Sequence, residues 1–272
     1  MEVFEAMILG VVQGLTEFLP ISSSGHLILA REFLGIGEEG GLAFDAVLHF
    51  ATALAVLMYF RMDIFRLVQN FFNWVFKRQV EQTEFRILVA IIIATIPAIF
   101  FGLLLEGYLE MAFRNPLLVV CALVAGSFII WGAEWIYKKN DVESVANTPN
   151  KKNAFSIGLF QSLALIPGMS RSGMAMSGGM LLGLSREHAA RFAFLIAVPL
   201  LLGAGGKKIL ELGADGVLFS EWMALAAGAA SAFIVGILVI HYLLKFVRTH
   251  SLMVFVWYRL LLAAFVLIAT YI

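Results

Sequence analysis

Two apolar stretches of membrane length in this chain are each broken near the middle by a short polar island, and the islands lie 148 residues apart in matching order. In the first, Gly10-Val11-Val12-Gln13 leads to Ser22-Ser23-Ser24-Gly25; in the second, Gly158-Leu159-Phe160-Gln161 leads to Ser170-Arg171-Ser172-Gly173. The same offset joins Leu15 to Leu163 and Gly35 to Gly183, which makes this an internal repeat. Lipid offers no water to open backbone groups, so non-helical backbone at that depth persists only where protein or a wet cavity surrounds it. The stretches 3–34, broken at Pro20, and 154–183, broken at Pro167-Gly168, therefore read as re-entrant helical hairpins.

Six further apolar runs, at 44–60, 85–105, 117–137, 190–206, 222–243 and 252–272, have no such break. Each approaches the roughly 20 residues that cross a bilayer. Hydrophobic residues make up 61% of the chain and charged residues 14%, against about 25% charged in a soluble domain. The expected fold is an all-α polytopic membrane protein, one membrane domain over 1–272. It divides into repeat 1, about 1–140, and repeat 2, about 150–272, each a hairpin plus three transmembrane helices. An odd number of crossings per repeat turns the second upside down relative to the first. Broken segments in inverted repeats are a sequence pointer to a membrane-embedded binding site.

Loop charges orient this arrangement. Arg61, Arg66, Lys77, Arg78, Arg86, Lys138, Lys139, Lys151, Lys152, Arg186, Arg191, Lys245, Arg248 and Arg259 fall on one predicted face. Arg31, Arg114, Lys207 and Lys208 share the other with Glu2, Glu5, Glu38, Glu39, Glu106, Glu110, Glu211, Asp215 and Glu221. The positive-inside rule makes the first face cytoplasmic and both termini extracytoplasmic, with the mouth of the first hairpin beside them. A formal net charge of zero gives no field for nucleic acid. The single cysteine, Cys121, excludes an intramolecular disulfide framework and reads as a small buried hydrophobe. The N-terminus, with Glu2 and Glu5 and no basic region, does not resemble a removable signal peptide.

Ionisable residues inside membrane segments are costly, so the islands are where chemistry is expected. Gln13 and Glu17 share a helical face four residues apart and together suit a ligand or cation. A hard cation such as Mg²⁺ takes one or two carboxylates plus substrate phosphates. One of Ser22, Ser23 and Ser24 is expected to cap the following helix. The other hydroxyls, with free N–H groups at the helix start, form an anion site. His26, one turn on, suits proton transfer or attack on phosphorus. Arg171 is a permanently charged fork matched to phosphate, and Gly168, Ser170, Ser172 and Gly173 let backbone N–H groups approach the same anion. In the empty site Arg171 pairs with Glu17. Asp45 and His49 open the span after the first hairpin as interfacial residues with a smaller claim on the site, and Glu134 with Arg259 is expected to form a structural ion pair. His188, His241 and His250 fall at loop edges. Gly178, Gly179, Gly183, Gly203, Gly205, Gly206, Gly228 and Gly236 are expected to let helices approach closely.

With these residues, the chain resembles the bacterial undecaprenyl-diphosphate phosphatase family, the integral-membrane type associated with bacitracin resistance. The run from Gln13 through Glu17, Pro20, Ser22, Ser23, Ser24 and Gly25 to His26 and Leu27 is similar to that family's first signature, and Pro167 to Gly173 to its second. The resemblance implies inverted repeats with two re-entrant hairpins in the bacterial cytoplasmic membrane. It also implies hydrolysis of undecaprenyl diphosphate to the monophosphate carrier used for peptidoglycan, with bacitracin resistance as a consequence. Glu17, Ser23, His26 and Arg171 match the family's catalytic positions, and Gln13 its first acidic-or-amide position. Some members have Glu where Gln13 stands, and Ala175 stands where Thr is common. A divalent cation, Mg²⁺ or Ca²⁺, on Glu17 and Gln13 follows, with a polyprenyl diphosphate and the bilayer as partners. A homodimer is left open. The nucleophile is Ser23, His26 or an activated water. The competing class is a transporter of anions or lipid phosphates, since the fold alone separates no carrier from an enzyme.

Overall fold

In a computed structural model, the structure describes residues 1–36, 41–105, 107, 116–139, 148–214 and 221–271, with 42, 116 and 269–271 by backbone alone. Glu38, Glu39, Glu106, Glu110, Arg114 and Asp215, which enter the loop-charge reading, lie outside them. The described residues form helices without strands: α1 Val3–Thr16, α2 Ser23–Leu34, α3 Gly41–Tyr59, α4 Arg61–Val75, α5 Gln82–Leu104, α6 Pro116–Lys139, α7 Lys151–Leu163, α8 Arg171–Leu181, α9 Arg186–Ala214, α10 Trp222–Thr249 and α11 Met253–Tyr271. Helices α5, α6, α9 and α10 are long and apolar enough to cross a membrane, and α3 with α4 makes a fifth candidate bent by 82°. This is a multi-pass all-α membrane protein.

Each of the six expected spans coincides with a helix. The bend after Tyr59 divides the first from α4, which the sequence reading passes over as loop. Helix α4 turns Met62, Phe65, Phe72 and Phe76 outward at helical spacing while Leu67 and Asn70 are buried. That pattern is the amphipathic face of an interfacial helix. Asn70 accepts the Glu81 backbone N–H at 2.7 Å and so anchors α4 to the start of α5.

Helices α1, α2, α7 and α8 have 14, 12, 13 and 11 residues, short of the roughly 20 of a full span. They pack as two pairs, α1 with α2 and α7 with α8. Asn153 at the start of α7 donates its side-chain N–H to the carbonyl of Leu182 just past α8 at 3.2 Å, so the second pair folds back as a hairpin. The offset of 148 holds in the backbone. Ser22 and Ser170, equivalent positions, have φ of 75° and 74°, a conformation costing a non-glycine residue on the order of 1–3 kcal/mol. Packing is reciprocal as well: α1 lies on α10 and α7 on α5. A Cβ on Gly10 would collide with the Gly228 carbonyl, and one on the equivalent Gly158 with the Ala94 carbonyl.

Gly178, Gly179, Gly205, Gly228 and Gly236 also sit against neighbouring helices, as expected. Gly183 differs: its φ is +90° and nothing lies within 4 Å of a Cβ there, so it serves a turn, and Gly203 is equally open. Cys121 is exposed rather than buried; an outward-facing position in a membrane helix is as apolar as the core, so burial does not follow from hydrophobicity there. Because backbone blocks the added atom, Gly158→Ala should destabilise the fold by about 1–3 kcal/mol through overpacking. A lower thermal midpoint of the detergent-purified variant checks this, and an unchanged midpoint would contradict the contact.

Candidate active site

Residue Glu17 stands at the C-terminal end of α1, buried to 7% exposure, and four side chains converge on its carboxylate. Gln13, one turn earlier and fully buried, donates from Nε2 to Oε2 at 2.8 Å. Ser23, the first residue of α2, donates its hydroxyl to the same oxygen at 2.7 Å. His49 of α3 lies with Nδ1 3.1 Å from Oε2 and 2.8 Å from Gln13 Nε2. Arg171, the first residue of α8, brings Nη1 to 3.5 Å from Oε1. Glu17 and Arg171 thus meet from opposite hairpins and line a small cavity with Phe18, Ser172, Ala193, Phe194 and Ala197.

Two atoms here are buried and have no hydrogen-bond partner among the described residues: Arg171 Nη1 and Gln13 Oε1. A buried donor and a buried acceptor left open carry a desolvation cost that a ligand removes. One suits an anion and the other a cation, and both residues contact Glu17.

The turns beneath the site are built from the serines. Ser22 precedes α2 without making a side-chain cap bond, so its hydroxyl leaves the first-turn N–H groups uncapped; its Oγ lies 3.4 Å from that of Ser24. Ser170 caps α8 by accepting the Gly173 N–H at 3.2 Å. Ser172 Oγ lies 3.2 Å from Ser170 Oγ and donates to the carbonyl of Leu19 at 2.9 Å, joining the second turn to the first. Pro20 and Gly173 nearly touch, since a Cβ on Gly173 would come within 3.2 Å of Pro20 Cβ. Gly168, with φ +100°, passes so close to Val119 that a Cβ there would come 2.5 Å from its carbonyl oxygen.

His26 lies apart from the carboxylate. Its Nδ1 is 2.7 Å from the Ser22 carbonyl, which makes that nitrogen the N–H donor, and its Nε2 is 2.7 Å from the hydroxyl of Tyr258 on α11. The two rings are near-parallel, with centroids 5.6 Å apart. Tyr258 has no signal in the sequence: it is one aromatic in an apolar run. Asp45 pairs with the buried Arg31 of α2 and does not reach Glu17.

The expected pair of Glu134 with Arg259 is not formed. Glu134 is held by Arg186, whose Nε and Nη2 donate at 2.8 and 2.7 Å, and by the Leu252 N–H at 2.7 Å. Arg186 opens α9 and reaches Glu134 directly, while Arg259 lies a little under two turns further along α11 than Leu252 and faces the hairpin turns. His188 bonds Ser185, and His241 lies 3.3 Å from Tyr59.

The fold and this site define a multi-pass membrane protein that gathers a guanidinium, a hydroxyl and an imidazole around a buried carboxylate and holds a second imidazole apart from them. The profile described as bacitracin resistance protein BacA matches residues 6–265. The chain is 38% identical over 268 residues to the undecaprenyl-diphosphatase 2 of Stutzerimonas stutzeri, covering 98% of each chain. It is 40% identical to the undecaprenyl-diphosphatase of Rubrobacter xylanophilus, over 98% of this chain and 97% of that one, and 41% to that of Hahella chejuensis, over 98% of each. The chain belongs to the BacA family.

Removing one partner of a buried ion pair leaves the other charge uncompensated, at roughly 3–5 kcal/mol. Glu134→Ala should therefore lower the thermal midpoint markedly, and Glu134→Ala with Arg186→Met should recover part of the loss. Equal midpoints for the single variant and the parent would remove Arg186 as the partner.

Proposed function

We propose that this protein hydrolyses undecaprenyl diphosphate to the monophosphate and inorganic phosphate, which recycles the lipid carrier for cell-wall synthesis and confers bacitracin resistance. The observation that carries the reading is Glu17 meeting Ser23 and Arg171 inside the protein, with Arg171 Nη1 paired to Glu17 at 3.5 Å but without a hydrogen-bond partner among the described residues. The relatives' names, at about 40% identity over nearly the whole chain, point the same way.

In this reading Arg171 binds the terminal phosphate and stabilises charge developing on it. Ser23, whose proton already points at Glu17, is the favoured nucleophile. Its Oγ forms a bond to the terminal phosphorus as the proton passes to Glu17. The bridging P–O bond breaks, and the polyprenyl monophosphate leaves with its electron pair. Water then hydrolyses the phosphoserine. His49 and Gln13 hold the carboxylate in line. His26, engaged by Ser22 and Tyr258, is the alternative nucleophile, and direct attack by water is the other. Gly168, Ser170, Ser172 and Gly173 hold the backbone on which Arg171 is mounted, and Ser22 and Ser24 do the same for Ser23.

A divalent cation, Mg²⁺ or Ca²⁺, belongs to the proposal. Glu17 and the open Oε1 of Gln13 are hard oxygens that fit it. Among the described residues no three His, Cys, Asp or Glu side chains gather as a metal site, so Glu17 and Gln13 would hold the ion together with oxygens of the substrate. When bound, the cation neutralises charge shared by the two phosphates. The polyprenyl tail stays in lipid. The family likeness points to the bacterial cytoplasmic membrane, and the loop charges, leaving out the buried Arg259, favour inverted repeats about 1–140 and 150–272 with a mouth on the extracytoplasmic side. One chain supplies every residue of the site, so a homodimer is not needed for it.

Purified protein in detergent, where no compartments exist, should release phosphate from polyprenyl diphosphate; binding without release would make it a carrier. Glu17→Ala and Arg171→Ala should each lose at least about a hundredfold, since one transition-state charge contact contributes roughly 3 kcal/mol. His49→Leu should lose less. Near-parental turnover in either of the first two would move the site elsewhere. Acid-quenched phosphoserine at residue 23 supports the covalent route, whereas labelled oxygen entering phosphate in one turnover without an adduct would replace it with water attack. Strong chelation should abolish turnover and added Mg²⁺ or Ca²⁺ restore it; indifference to chelator would remove the cation.

A further inference from the structure

Among the described residues Arg259 is the largest fully buried side chain, with 0% exposure, and no carboxylate of theirs lies within 4 Å of it. A guanidinium in that position is tolerated only if every donor finds an acceptor. Each of its three nitrogens meets oxygen, from three places. Nη1 donates to the Pro20 carbonyl at 3.3 Å; Nη2 donates to the carbonyls of Gly168 and Leu123 at 3.0 Å each and of Ala122 at 3.4 Å; Nε donates to Ser127 Oγ at 3.1 Å. Pro20 precedes Ser22 and Ser23 in the first hairpin turn. Gly168 precedes Ser170 and Arg171 in the second. One rigid, planar fork therefore holds both turns, and α6 supplies the remaining contacts.

The socket is shaped for this group. A Cβ on Gly126 would collide with Arg259 Nη2 and come 3.0 Å from the Met169 carbonyl. The neighbouring Tyr258 contacts His26, so α11 braces the site at two points. Among the described residues the turns are also tied by the hydrogen bond from Ser172 to the Leu19 carbonyl and by the ion pair of Arg171 with Glu17. A neutral residue would take this donor from the Pro20 and Gly168 carbonyls of the two turns, and a lysine, with three donors on one atom, cannot span carbonyls set on both sides of a planar fork.

We propose that Arg259 is a positioning residue for the reaction: it sets the separation of the two hairpin turns and thereby aligns Arg171 of the second with Ser23 and Glu17 of the first. The activity part of its test rests on the phosphatase reading above, and the geometric part does not.

Two variants probe it without touching the hairpins. Arg259→Lys keeps the charge and loses the fork, and Gly126→Ala keeps the arginine and displaces its guanidinium. In detergent-purified protein that stays monodisperse, each should lower kcat about tenfold to a hundredfold, the scale of an ångström-sized misplacement, while KM for the polyprenyl diphosphate moves little. A parental kcat in both, or a rise in KM with kcat unchanged, overturns the proposal. The second measurement needs no turnover. Leu19→Cys and Ser172→Cys, made in a Cys121→Ser background, remove the hydrogen bond from Ser172 to Leu19 and place a thiol on each turn. A short bismaleimide should cross-link them efficiently when Arg259 is present and several-fold less in Arg259→Lys. Equal yields overturn the proposal even if the parent protein releases no phosphate, an outcome that by itself would sink only the phosphatase reading.

Discussion

A carboxylate shut inside a helical membrane protein persists only with partners that stabilise its charge or share its proton, and the interior of this protein is arranged around meeting that requirement at Glu17. Gln13, Ser23 and His49 approach one oxygen and Arg171 the other. These groups come from α1, α2, α3 and α8. Because no single helix supplies them, the site exists only when both hairpins and the helix after the first are in register. The strained serines, the close glycine contacts and the fully buried arginine of α11 all bear on that register.

The two halves share a frame and divide the chemistry. At the offset of 148, Gln13 matches Gln161, Ser22 matches Ser170 and Ser24 matches Ser172, and the turns share one unusual backbone conformation. The reactive residues do not match: Glu17 faces Leu165 in the alignment, Ser23 faces Arg171 and His26 faces Met174. Acid, hydroxyl and imidazole come from the first half and the guanidinium from the second. Such a division gives one composite site. Two copies of the first island would set like charges against each other at close range, where repulsion in a poorly solvated interior is strong.

The spans and the hairpin turns were legible in the sequence, because apolar length and interruption report directly on what lipid tolerates. The meeting of Glu17 with Arg171 was legible too, since each is too costly to bury alone. What stayed hidden was lateral placement. His49 sits 36 residues from Gln13, and nothing in its spacing reveals that α3 lays it against that amide. Tyr258 looks like any aromatic of an apolar helix. Glu134 and Arg259 carry opposite charges near the same predicted level, yet Arg186 reaches Glu134 first and Arg259 turns to backbone carbonyls. Charge sign along the chain does not encode which helix faces which. Helix α4 was missed because its apolar residues are interleaved with charge, which reads as loop unless the interface is considered as a third environment.

The most direct measurement is an experimental structure of the protein in a lipid nanodisc with a polyprenyl diphosphonate that cannot be cleaved. The terminal phosphonate should lie against Arg171 with Ser23 Oγ in line behind its phosphorus, Glu17 beside it, and the tail leading into lipid. A headgroup bound away from Glu17 and Arg171, or those two side chains on separate surfaces, would contradict it.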